Sequence, residues 1–133
     1  MLGITAALTV WGEHFRPSEV EHLTGISFSS RNEPGEVGRK GRYAGVPKPY
    51  GSAELLMEPV TIEAAGGATT LLDVNWLKQL DSIIRYCRDA GATDMAVHVD
   101  ISYDGQCNLS LSANELAALA ALSIPLTMTC YSR

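Results

Sequence analysis

The chain has 133 residues, 46% of them hydrophobic and 19% charged, with a net charge of −5. That length and balance fit one globular domain able to bury about two thirds of its unfolded surface without a metal or disulfide staple. The acidic balance argues against general nucleic-acid binding, which needs a basic footprint, and it suits a soluble protein that steers a partner of opposite charge.

The chain opens on alternating residues. Ile4, Ala6, Leu8 and Val10 interleave with Thr5, Ala7, Thr9 and Trp11, a period of two that predicts a first β-strand. The segment has no basic leader and no small-x-small cleavage site before Glu13, so a strand is expected rather than a signal peptide. No run approaches the roughly 18 apolar residues of a membrane span, and the expected location is the cytosol. A short helix follows: Pro17 suits the first helical turn, Val20 and Leu23 give it a small apolar face, and Gly25 suits its end.

Residues 27–52 change character. They hold five glycines and three prolines, together with Arg31, Arg39, Lys40 and Arg42 against Glu33 and Glu36. An irregular stretch of this length inside a compact domain is unusual, and it reads as a surface loop with a basic tip. Residues 54–64 look β-like but contain Pro59, which cannot donate to a ladder; an edge strand or a bulge is expected there, closed by Gly66-Gly67. The main helix is expected over residues 71–90. Leu72, Trp76, Leu80, Ile83 and Cys87 recur at helical spacing, Thr70 is the expected N-cap, and Asp73 lies in the first turn. Trp76 falls in this stripe and is assigned to the core.

The last third is the most sharply patterned. Met95, Val97, Val99, Ile101 and Tyr103 alternate with Ala96, His98, Asp100 and Ser102, a strand with one apolar and one polar face. Asp104-Gly105 supplies a turn. Ser112 and Glu115 form a capping-box pair ahead of a helix whose inner face is assigned to Leu116, Leu119 and Ala120. Pro125 releases the chain into a last strand, Leu126 to Tyr131. The expected fold is a single α+β domain over residues 1–133: a mainly antiparallel sheet with about three amphipathic helices on one face.

The run NLSLSANELAALAALSIPLTMTCY, with the earlier proline-led helix Pro17-Ser18-Glu19-Val20 ending at Gly25, resembles the bacterial domain of unknown function 4279 family across nearly the whole chain. The resemblance implies the same order of strands and helices. It brings no catalytic residue. Some members look like immunity proteins that accompany toxins, so it implies a bacterial binding protein of that kind. Arg16 stands where the family has an acidic or small polar cap, and the Gly-rich insertion is longer and more basic than the family pattern.

Catalytic motifs are missing. The sequence has no G-x-S-x-G, phosphate-loop or dinucleotide fingerprint. Cys87, Cys107 and Cys130 form no close-spaced pair, and with His14, His22 and His98 they make no metal-ligand spacing. No cofactor and no metal are expected. His98 and Asp100 point the same way on one strand and would serve as an acid/base pair only with a nucleophile and a closed pocket beside them. The sequence thus favours a non-catalytic protein that docks a protein partner. Trp11, Arg31, Glu33, Glu36, Arg39, Arg42, His98, Asp100 and Tyr131 are its candidate contact residues, and carboxylates such as Glu13, Glu19, Glu21, Glu33 and Glu36 would meet a basic toxin. A small-ligand sensor built around Trp11, His98 and Asp100 is the alternative, and a hydrolase using His98 and Asp100 is the minor one.

Overall fold

A computed structural model describes residues 2–62 and 71–132. The elements are β1 (Leu2–Gly12), α1 (Pro17–Thr24), β2 (Ser30–Asn32), a 3-10 turn (Gly41–Tyr43), β3 (Gly51–Leu56), β4 (Val60–Ile62), α2 (Val74–Asp89), β5 (Asp94–Tyr103), α3 (Ala113–Leu122) and β6 (Leu126–Ser132). The fold is α+β, with one mixed, mostly antiparallel sheet of strand order β2-β3-β1-β5-β6, and β4 also pairing with β1. Contacts divide the chain into two units, Met1–Leu8 with Leu56–Asp81 and Ala96–Arg133, and Thr9–Leu55 with Ser82–Met95. β1, α2 and β5 contribute residues to both.

In the first unit, one face of the sheet is buried at β1 and β5, while Met128 and Cys130 of β6 are exposed. Ile4, Ala6 and Leu8 of β1 and Val97, Val99 and Ile101 of β5 are at most 1% exposed, and Leu72, Leu77 and Leu80 are as deeply buried. β6 runs parallel to β5, with Leu126, Met128 and Cys130 opposite Val97, Val99 and Ile101. Parallel neighbours need a crossover, and α3 supplies it. β4 pairs antiparallel with the start of β1, Ile4 opposite Val60.

Pro59 lies where β3 and β4 separate, so the β-like stretch is two strands and not one bulged strand. The chain between them remains tied to the sheet, because the Met57 amide donates to the Ala6 carbonyl at 2.8 Å. The Gly66-Gly67 turn and the Thr70 cap lie outside the described residues. The main helix begins at Val74, three residues later than the sequence suggested. Asp73 is its cap: Oδ1 accepts from the amides of Asn75 at 2.8 Å and Trp76 at 3.4 Å. Trp76 is half-buried, at the margin of the core and not inside it.

α3 differs from its sequence assignment in rotation. Leu116 is 52% exposed and Ala120 is also exposed, whereas Glu115 is 1% exposed. The capping box forms as expected, with Glu115 N donating to Ser112 Oγ at 3.1 Å and Ser112 N to Glu115 Oε1 at 3.3 Å. The second oxygen, Oε2, accepts from the buried amide of Leu72 at 3.2 Å. A buried amide with no partner is costly, so this contact turns Glu115 inward and Leu116 outward.

In the second unit, Phe15 and Val20 are fully buried, with Ile83, Ile84 and Cys87 from the second half of α2 also in the core. α1 starts at Pro17 and ends at Gly25, whose φ of 77° places it in the left-handed region that suits glycine. Leu23, expected on the inner face, is 64% exposed because the eight-residue helix buries only Pro17 and Val20. β2 and β3 pair antiparallel, Arg31 opposite Ala53. Gly51 begins β3 where the chain passes the Phe15 carbonyl so closely that a Cβ would not fit.

Candidate functional site

In the second unit, the segment read as a loop doubles back on itself. Gly35 N donates to the Lys48 carbonyl at 2.7 Å, Lys48 N to the Glu36 carbonyl at 2.9 Å, Gly38 N to the Val46 carbonyl at 3.0 Å, and Gly45 N to the Gly38 carbonyl at 2.8 Å. Its base is fastened by Asn32, whose Nδ2 donates to the Tyr50 carbonyl at 3.0 Å and whose Oδ1 accepts from Ser52 Oγ at 2.5 Å. Backbone bonds of this number hold the tip, residues 39–43, in place.

Three of the predicted contact residues brace this segment. Arg31 Nε reaches Glu21 Oε1 at 2.7 Å, and its Nη1 reaches Glu33 Oε1 at 3.5 Å. Glu33 Oε1 also accepts from the Ser18 amide at 2.7 Å, satisfying a free N–H in the first turn of α1 whose own N-cap, Arg16, supplies no side-chain bond. Glu36 Oε2 accepts from Glu33 N at 3.1 Å. Glu21 Oε2 accepts from Phe28 N at 2.9 Å. Arg31, Glu33 and Glu36 therefore have structural partners already, which the sequence reading did not anticipate.

Trp11 and Arg42 belong to a different group. Trp11 and Tyr50 are 5.7 Å apart between ring centroids, Tyr50 and Tyr43 also 5.7 Å in an edge-to-face contact, and the Arg42 guanidinium lies 5.6 Å from the Tyr43 centroid. Both ring pairs fall in the range of favourable aromatic contact, and the Arg42 position is that of a cation–π pair. Trp11 is 38% exposed, and Arg39, Lys40 and Arg42 are all exposed. Tyr43 and Tyr50 were not singled out from the sequence. Their signal was weak: two aromatics bracketing a Gly- and Pro-rich basic stretch.

In the first unit, His98 Nε2 and Asp100 Oδ1 are 3.2 Å apart on β5, with their side chains 36% and 43% exposed. They face away from Val97, Val99 and Ile101, as residues i and i+2 on a strand must. The β6 residues opposite them are Thr127 and Thr129, and Tyr131 stands opposite Ser102. All three β6 residues are exposed, Tyr131 at 52%. This is a solvated polar sheet face carrying one His–Asp pair. Among the described residues, the pair is more than a third exposed and lies on this open face.

Among the described residues, the buried ionisable groups are Glu115 in the first unit and Cys87 in the second. Both Glu115 oxygens are occupied by amides. Cys87 lies in the core of the second unit, where burial pushes its thiol pKa up to about 12, so it is a protonated apolar filler. An open cleft of about 640 Å³ between α2 and α3 is bordered by Leu77, Lys78, Ala117 and Ala121 and is mostly apolar. Among the described residues no group of three or more His, Cys, Asp or Glu side chains is placed to hold a metal ion, and no helix is long and apolar enough to cross a membrane. No protein-family model, no curated protein and no solved structure matches this chain.

Proposed function

We propose that the protein acts by docking another protein and not by catalysing a reaction, most concretely as an immunity-type protein that neutralises a bacterial toxin by direct binding in the cytosol. The observation that carries this reading is the display of polar groups on open surface. His98 and Asp100 are more than a third exposed on one sheet face, beside exposed Thr127, Thr129 and Tyr131. Surfaces of mixed polar and aromatic character are the usual material of non-obligate protein interfaces.

The test is direct. The purified product of the neighbouring gene should bind this protein at moderate salt, and co-expression should protect cells from it. His98→Ala should leave the fold intact and weaken binding only by truncating a surface contact. A product that neither binds nor is neutralised, or a measurable turnover abolished by His98→Ala, rejects the proposal.

A further inference from the structure

The charge on this chain is divided unevenly. Residues 37–50 hold Arg39, Lys40, Arg42 and Lys48 and no acidic residue. The remaining residues carry six basic against fifteen acidic side chains. Gathering like charges raises the energy of the folded state, and elsewhere in the second unit opposite charges are paired: Arg31 lies between Glu21 and Glu33. Arg39, Lys40 and Arg42 are exposed, and none of them makes an ion pair among the described residues. The segment that carries them is held by its own backbone bonds, so its backbone needs little ordering when an anion arrives and the cost falls on the side chains.

We infer that the basic tip at residues 39–43, backed by the Trp11–Tyr50–Tyr43 aromatic row, is a docking site for an acidic protein surface. The inference rests on the docking function proposed above and specifies the partner's charge. It reverses the sign expected from the sequence. Of the five carboxylates expected to meet a basic partner, Glu21, Glu33 and Glu36 are engaged by Arg31 and by the amides of Phe28, Ser18 and Glu33, Glu19 lies 3.8 Å from Arg16, and Glu13 is exposed. Arg39, Lys40 and Arg42 make no ion pair among the described residues.

A carboxylate-rich protein surface fits better than a nucleic acid. Sequence-tolerant binding of single strands uses open aromatic faces for base stacking. Here Arg42 lies over Tyr43, and Tyr50 contacts both of its aromatic neighbours; Trp11 is 38% exposed, and the charged groups around this row are the exposed guanidinium and ammonium groups of Arg39, Lys40 and Arg42. A nucleic acid would also extend its phosphates beyond the tip toward a chain whose other residues are strongly acidic, whereas a protein can confine its acidic patch to the tip. Arg favours planar, bidentate contact with carboxylates.

The full-length protein should be titrated with fluorescent deca-glutamate, deca-lysine and an oligothymidine at about 20 mM salt, where exposed charges are weakly screened. Deca-glutamate should bind tightest. The triple variant R39E/K40E/R42E should weaken it by about tenfold or more, and raising the salt should do the same. The variant K78E/R88E, which adds negative charge elsewhere, should change it by less than about threefold. Melting curves of both variants show that each is folded. Tighter binding of deca-lysine or oligothymidine, no binding of deca-glutamate, or equal binding by the triple variant would each overturn the inference. The neighbouring gene's product separates the two claims: if it binds the wild type and the triple variant equally, the acidic docking site falls and the docking function stands.

Discussion

Glu115 offers the sharpest test of how the first unit is held together. Its carboxylate joins the N-terminus of α3 to the buried Leu72 amide, 43 residues away in the chain. Glu115→Ala removes both acceptors. The Ser112 amide can turn to water, but the Leu72 amide sits on a residue only 1% exposed and loses its partner. An unsatisfied buried donor costs about 1–3 kcal/mol, and loss of half a capping box adds on the order of 1 kcal/mol. The expected destabilisation is therefore about 2–4 kcal/mol, partly offset because the wild type must desolvate a carboxylate. Glu115→Gln keeps one acceptor and should cost about half as much. Urea denaturation followed by far-UV circular dichroism measures both values, and for a domain of this size each 1 kcal/mol should move Tm by about 3–5 °C. If Glu115→Ala costs less than about 0.5 kcal/mol, the typical effect of an exposed substitution, the carboxylate does not hold α3 to the Leu72 segment and the account of the helix's rotation fails.

Other outcomes follow from the same geometry. Cys87 has its pKa raised, so the folded state keeps the proton while the unfolded state releases it above about pH 9. The stabilisation is complete below that pH and is lost as pH rises toward 12. The wild type should lose about 1.4 kcal/mol more than Cys87→Ala between pH 7 and pH 10 in paired urea titrations; equal losses would refute it. Gly51→Ala should destabilise by about 3 kcal/mol, because the added methyl meets the Phe15 carbonyl, and a neutral result in thermal melting would contradict the close approach. Glu33→Ala should cost about 1 kcal/mol by leaving the first turn of α1 uncapped at the Ser18 amide. Arg31→Ala, whose side chain is 43% exposed, should cost less than that.

The features that were legible in the sequence are those fixed by local rules. The alternation of β5, the capping box of α3, the proline-led start of α1 and its Gly25 end each depend on neighbours within a few residues, and each formed as read. The misreadings have distant causes. α3 is so rich in Ala and Leu that several faces look equally apolar, and the face that turns inward is chosen by a carboxylate bonding to Leu72. α2 begins at Val74, three residues later than the pattern suggested, with Asp73 as its cap. The basic segment looked structureless because its order comes from backbone bonds between residues 35–38 and 45–48, and these leave no side-chain pattern.

The same divide runs through the candidate site. His98 and Asp100 were legible as a pair because strand geometry places i and i+2 together, and they lie 3.2 Å apart. Arg31, Glu33 and Glu36 were grouped with Arg39 and Arg42 because they share one charged stretch. Their difference in role depends on α1, which supplies Glu21 and the Ser18 amide and cannot be read from the stretch itself. Tyr43 and Tyr50 acquire meaning only when the chain folds back beside Trp11.

We propose that this protein works by occupying a partner's surface and not by altering bonds. Titrating a fixed amount of the neighbouring gene's product with increasing amounts of this protein, and measuring the product's residual activity, addresses it most directly. The account predicts loss of activity that completes at one equivalent and returns when the complex is dissociated. Lasting inactivation by a small fraction of an equivalent would mean turnover, and would contradict it.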